Sequence, residues 1–346
     1  MNMTTTNLEL IHKVIADEDL TSEQTHQLFT QMVKGELDPI LLSSYLTALK
    51  IKGETVAEIA GAAKALSDNA LAFPALDFDT ADNCGTGGDG TKTINISTMC
   101  AILAASCGVK MAKHGNRAVS SKSGSADVLS ELGIKLDMTP QGAKQCLEQT
   151  NLTFLMAPVY HSGIRHAMPV RQMLQTRTIF NILGPLINPA KAAVQVLGVY
   201  APELCRPMAE SLKLLGKKAA WVIHGSGMDE IALHGKSQIT QLLNGEITEF
   251  EITPEQFGLK SFPIEALNGG SPKENAKNIR QVLSGKGTDA HNFAVALNTA
   301  PVLFLYGLCD SFETALETAL KAIQSGQAIK TLNDFVELSN SCSTSE

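Results

Sequence analysis

Apolar positions in the first seventy residues recur at three- and four-residue spacing. Leu28, Met32 and Val33 line one stripe, and Leu41, Tyr45, Ala48 and Leu49 line another, so each segment is read as a helix with one buried face. The boundaries are marked too. Thr21 with Gln24, and Thr55 with Glu58, have capping-box spacing, and Asp38 precedes a proline at the first helical position. Gly35 and Gly53 supply stops. A small all-helical domain is expected here.

After Pro74 the period changes. Short apolar runs at 109–112, 153–156, 194–200 and 219–223 alternate with helical stretches such as 98–106 and 203–215, which predicts an α/β layer structure with a largely parallel sheet. The runs 239–243 and 247–252 flank Asn244-Gly245, a hairpin-turn dipeptide, so some antiparallel pairing is expected. The fold class is therefore α/β: a small all-helical domain plus a larger α/β domain with a mixed, mostly parallel central sheet flanked by helices. No internal repeat is present, and the Ser/Thr-rich stretch 339–346 reads as a frayed tail.

Length agrees with two domains, since 346 residues exceed the roughly 100–200 of a single compact domain. The chain is 44% hydrophobic and 18% charged, without an apolar run near the ~20 residues that span a bilayer. The first residues lack a basic cluster and a small-residue cleavage site, so a cytoplasmic location is expected. The seven cysteines are odd in number and show no Cys-x-x-Cys spacing, which predicts reduced and mostly buried thiols. A net charge of −7 argues against binding a nucleic-acid backbone through the bulk field, so any phosphate needs a dedicated pocket.

Three stretches offer one. The run Asp82-Asn83-Cys84-Gly85-Thr86-Gly87-Gly88-Asp89-Gly90 follows an expected strand and precedes a helix. Without Cβ atoms such a loop can turn several N–H groups toward one anion, and the next helix adds its positive end. It fits neither the Walker pattern nor the dinucleotide fingerprint, and a tight turn is the simpler alternative. Asn95-Ile96-Ser97-Thr98 stands where that helix begins, where its polar side chains can cap, bond phosphate or ligate Mg²⁺. The second stretch, from Lys113 to Ser125, holds cations, serines and glycines, suited to anions or to a solvated surface loop. The third contains Asp229-Glu230, adjacent carboxylates that call for solvent or a bridging cation.

Taken together, these motifs resemble the anthranilate phosphoribosyltransferases of tryptophan biosynthesis. The likeness runs over nearly the whole chain, through 85–89, 95–98, 113–121 continuing into 124–129, then Pro169-Val170-Arg171, the run 177–189, and Asp229-Glu230. It implies domains at 1–73, completed by about 165–185, and at 74–164 with 186–346, the second binding the phosphoribosyl donor. It also implies a homodimer built through the helical domains.

The implied donor contacts are Gly85, Gly88, Asp89, Thr93, Asn95, Ile96, Ser97, Thr98, Lys113, His114, Gly115, Asn116, Arg117, Ala118, Val119, Ser120, Ser121 and Ser125. Gly85, Asn116 and Arg171 would contact anthranilate, and Ser97, Asp229 and Glu230 would hold Mg²⁺. No catalytic nucleophile is implied, and His114 is read as a positioning residue. Ser130 departs from the acidic residue expected there. A pyrimidine-nucleoside phosphorylase shares the architecture but lacks the Lys-His-Gly-Asn-Arg run. A nucleic-acid-binding protein that kept the fold would favour basic surfaces, whereas this chain is acidic and retains both Arg171 and the Asp229-Glu230 pair.

Overall fold

The computed structural model describes residues 6–118 and 122–342. Four helices open the chain: Asn7–Ile15, Ser22–Lys34, Pro39–Lys52 and Val56–Asp68. Their starts follow the expected chemistry. Thr21 and Thr55 close capping boxes with Gln24 and Glu58, Asp38 caps the helix that begins at Pro39, and Gly35 stops a helix at φ 74°. The buried stripe of the third helix is displaced from the expected one. Leu42, Tyr45, Leu46 and Leu49 are buried, whereas Leu41 and Ala48 are half-buried, because this helix packs its flank against Asn7–Ile15 and Met168–Leu174.

Seven strands form one sheet in the order β3-β2-β1-β4-β5-β6-β7. They are β1 (Ala81–Asp82), β2 (Met111–Gly115), β3 (Leu152–Met156), β4 (Val194–Gly198), β5 (Ala219–Gly225), β6 (Ser237–Leu243) and β7 (Glu246–Ile252). The first five are parallel, and β6 and β7 add antiparallel pairs. Asn244 and Gly245 both take positive φ, at 51° and 78°, as a two-residue hairpin with matching twist requires. The mixed, mostly parallel sheet is as expected, with one shift of consequence. The run at 109–112 becomes a strand that starts at Met111 and extends to Gly115, because Lys113, His114 and Gly115 pair with Phe154, Leu155 and Met156. Lys113 and His114 are therefore strand residues rather than loop residues.

The sheet separates two cores by the two-residue period of its side chains. On β5, Ala219, Trp221 and Ile223 join the larger core with the helices Ile96–Ser106, Asp289–Leu305 and Phe312–Ser325. Ala220 and Val222 point the other way, into a core shared with the opening helices, Ala167, Val170 and the 179–187 segment. The helical domain is thus seated on one sheet face, and each fully buried Leu or Phe there contributes about 1.5–3 kcal/mol. Among the seven cysteines, all free, Cys100, Cys146 and Cys205 are buried and the other four half-buried, so fewer are buried than expected.

Candidate active site at the carboxyl edge of the sheet

In strand order 3-2-1-4-5 the chain reverses direction of travel between β1 and β4, and open α/β sheets bind ligands outside the carboxyl ends at such a point. The glycine-rich loop leaves β1, the 116–124 loop leaves β2, and the Asp229-Glu230 loop leaves β5, so all three predicted stretches meet at one edge. A cavity of about 570 Å³ lies at the opposite edge, lined by Phe73, Phe78, Thr80 and Ala193 among others, and contains none of the predicted site residues.

The loops are tied directly. Asp229 Oδ2 accepts the Gly87 N–H at 2.8 Å, and the Asp229 N–H reaches Asp89 Oδ2 at 3.3 Å. Gly87 and Gly88 take φ of 62° and 77°, the left-handed region that a side chain disfavours. A Cβ on Gly85 would stand 2.5 Å from Asp229 Oδ2, so the absence of a side chain lets the acidic loop approach. Ser97 Oγ donates to Glu230 Oε1, and Asn83 Nδ2 donates to the Ser97 carbonyl at 2.7 Å. Thr93 is held in an isolated antiparallel bridge to Asn268.

Both carboxylates of the pair are shifted toward the neutral form. Burial raises Asp229, and the charges of Glu230 and Asp89 raise it further; burial also raises Glu230, against the opposing bond from Ser97 and the nearby Lys113 charge. A cation relieves both. Among the described residues no group of three or more His, Cys, Asp or Glu side chains is arranged to hold a metal ion. Two buried carboxylates and the Ser97 hydroxyl are hard oxygen donors, the chemistry that Mg²⁺ prefers.

Several predicted residues sit differently from the expectation. Lys113, 4% exposed, does not project from a loop: its Nζ donates to the Asn83 carbonyl at 2.9 Å and to Asn83 Oδ1 at 3.3 Å, bracing the glycine-rich loop from below. Ile96 and Thr98 are buried. Asn95 stands at the N-cap without a capping bond; it donates to the Ser123 carbonyl at 3.0 Å and accepts from Asn275 at 2.8 Å. Arg117 is committed to an ion pair with Asp127 at 3.0 Å, and Asp127 also accepts the N–H groups of Ala118 and Gly124, closing that loop on its own helix. Gly115 has no room for a Cβ, which would stand 2.5 Å from Ser125 Oγ; that hydroxyl donates to the Asn116 carbonyl at 3.3 Å. Val119, Ser120 and Ser121 lie outside the described residues.

His114 is buried, with Nδ1 3.0 Å from the Gly184 carbonyl, a bond in which the ring donates, and its Nε2 has no protein partner. Burial pushes its pKa down to about 4, so the ring is neutral and serves as a hydrogen-bonding group. His161 meets it edge to face, with centroids 5.3 Å apart. Arg171, on the helix Met168–Leu174, is half-buried with its guanidinium 4.8 Å from the Phe180 ring centre. It is not in hydrogen-bond contact with the glycine-rich loop. Sequence reasoning missed Asn83, which Lys113 and the Ser97 carbonyl hold, and the contacts that Gly198, Tyr200 and Arg177 make with the glycine-rich loop. Arg177 stands within a quoted motif, whereas nothing local distinguishes Gly198 from other strand glycines.

The helical half and the α/β half each match a family. The Glycosyl transferase family, helical bundle domain, matches residues 8–70, and the Glycosyl transferase family, a/b domain, matches residues 77–329. A helical bundle seated on an α/β sheet, each half matched by its own family model, makes the chain a two-domain glycosyl transferase. Among curated relatives, the anthranilate phosphoribosyltransferase of Photobacterium profundum is 55% identical over 325 residues, covering 94% of this chain and 96% of the relative. Among solved structures, that of the same enzyme from Thermus thermophilus has TM-score 0.92 and 38% identity, covering 96% of this chain and 99% of that one. The Saccharomyces cerevisiae enzyme in complex with PRPP and Mg has TM-score 0.87 and 28% identity, covering 97% of this chain and 98% of that one. The chain belongs to the anthranilate phosphoribosyltransferase family.

Proposed function

We propose that this chain transfers the phosphoribosyl group of 5-phosphoribosyl 1-pyrophosphate to the amine of anthranilate, giving N-(5-phosphoribosyl)anthranilate and pyrophosphate. The observation that carries this reading is the meeting of the glycine-rich loop, Ser97, Asp229 and Glu230 at the switch point, in a chain of this family. The N–H groups of 85–89, the start of the helix Ile96–Ser106 and the 116–125 loop would take the donor, with Lys113 supporting them from the strand. Gly85, Asn116 and Arg171 would take anthranilate, the guanidinium meeting its carboxylate as a planar fork.

Ser97, Asp229 and Glu230 would hold Mg²⁺, which when bound neutralises charge on the pyrophosphate. In the reaction the arylamine nitrogen forms a bond to ribose C1 as the C1–O bond to pyrophosphate breaks, and the nitrogen then loses a proton. Anthranilate's amine is uncharged near neutral pH, so this chain needs no strong base. Its residues hold the two reactants together and offer N–H groups to the leaving charge. A division at 1–73 with about 165–185, a homodimer and a cytoplasmic location complete the reading. The shared core of the opening helices with Ala167, Val170 and Ile179 supports the first, and no helix among the described residues is long and apolar enough to cross a membrane.

Loss of anthranilate fluorescence on adding donor and Mg²⁺ tests the reading. A folded protein that leaves anthranilate untouched yet phosphorolyses a pyrimidine nucleoside would overturn it.

A further inference from the structure

Arg177 belongs to the run 177–189 but has no part in the function described so far. It precedes the short helix Phe180–Leu183, and its Nη2 donates to the Gly88 carbonyl in the glycine-rich loop. Its guanidinium lies over the Tyr200 ring, with Cζ 4.0 Å from the ring centre. Among the described residues Arg177 forms no ion pair, so this cation stands beside an anion-suited loop without a carboxylate partner.

The loop is tied at a second point. The Thr86 N–H donates to the Gly198 carbonyl at 2.8 Å, and the Tyr200 N–H donates to Thr86 Oγ1 at 3.1 Å. Tyr200 therefore holds Thr86 through its backbone and Arg177 through its ring. Between these anchors, Gly87 and Gly88 have the widest backbone freedom of any residue type, and ordering them costs entropy that donor binding would otherwise have to meet. A peptide unit is planar and trans, so its carbonyl and N–H point in opposite directions. Capturing the Gly88 carbonyl from one side turns the Asp89 N–H to the other.

We propose that Arg177 is a positioning residue for the phosphoribosyl donor. It acts through the Gly88 carbonyl to aim the Asp89 N–H at the pyrophosphate, and Tyr200 holds its guanidinium in place. This rests on the reading that the glycine-rich loop takes the donor.

Calorimetric titration with phosphoribosyl pyrophosphate and Mg²⁺ measures donor affinity without turnover, so it stands even if anthranilate is not the acceptor. If the wild-type protein does not bind the donor at all, it is the functional reading that fails. Given wild-type binding, Arg177→Ala is expected to raise donor Kd and donor KM roughly tenfold, the scale of one lost charged hydrogen bond. Acceptor KM should stay within about twofold, and kcat should fall less than donor affinity does. Tyr200→Phe keeps the ring and loses only the hydroxyl, which also interacts with Arg177, so it should weaken the donor less than Tyr200→Leu, and adding Tyr200→Leu to Arg177→Ala should cost little more. Arg177→Lys retains the charge without the fork and should restore part of the affinity; it also replaces the Ala variant if that one fails to fold. Wild-type donor affinity in a folded Arg177 variant, or an equal rise in both KM values, would overturn the proposal.

Discussion

The Asp229 carboxylate accepts the Gly87 N–H at 2.8 Å, across 142 residues of chain, and so welds the acidic loop after β5 to the glycine-rich loop after β1. Gly85 and Gly198 both lack a side chain where Asp229 passes, so the acidic loop fits closely against the glycine-rich loop and β4.

Gly198→Ala tests that fit. A Cβ there would fall 1.6 Å from the Asp229 carbonyl oxygen, which is backbone and cannot swing aside. Overpacking of this kind costs about 1–3 kcal/mol, and here the displaced atom belongs to the site. Urea denaturation should show lower stability together with a larger loss of Mg²⁺-dependent turnover. Unchanged values for both would mean that the loops meet differently.

Replacing Asp229 and Glu230 by Asn and Gln should separate folding from activity. Burial raises both carboxyls, with the charges of Glu230 and Asp89 adding to the rise at Asp229 and that of Asp89 adding to it at Glu230, so the folded state holds its protons more tightly than the unfolded one. The stability tied to those protons is full at low pH and lost as pH rises through the folded values. Without metal at pH 8, the neutral variant should therefore melt no lower than wild type while losing most turnover. A metal-free variant much less stable than wild type, or one retaining full turnover with Mg²⁺ limiting, would contradict the assignment.

The His114–His161 contact predicts acid sensitivity. Burial holds both rings down to about 4, and for His161 the neighbouring His114 adds to the effect. Unfolded histidines take up protons near 6.5, so the unfolded state gains protons first as pH falls. Stability is full above about 6.5 and drops progressively toward pH 4, by on the order of 3 kcal/mol for each ring. Urea midpoints at several pH values should show this slope, shallower in His161→Gln. A flat profile between pH 6.5 and 4.5 would show that the rings are accessible to protons in the fold.

Arg171 is expected to anchor the acceptor. It lies against Phe180 with burial lowering its pKa, which leaves a partly desolvated fork suited to a planar carboxylate. Arg171→Lys should raise acceptor KM by the equivalent of roughly 1.5–3 kcal/mol, with little change in donor KM. If the variant melts lower while acceptor KM stays put, Arg171 only braces its helix.

Much of this protein was legible in the sequence because it is decided locally. The caps at Thr21, Asp38 and Thr55, the Asn244-Gly245 turn and the change from helical to strand period each depend on a few adjacent residues, whatever surrounds them. The glycine run and the Asp229-Glu230 pair were likewise visible as chemistry in search of a ligand.

Tertiary structure decided what those residues touch. Pairing with β3 drew Lys113 and His114 into a strand, so the lysine became an internal brace under Asn83, and the expected strand end at 112, three residues short of Gly115, concealed this. The partnership of Asn95 with Asn275, the passage of Asp229 over Gly198 and the reach of Arg177 to Gly88 join positions separated by 180, 31 and 89 residues. Local propensity carries no information about such distances. They arise when β1 and β4 become neighbours at the switch point and the helical segment is seated on the other face of the same sheet, which brings its loops within hydrogen-bond range.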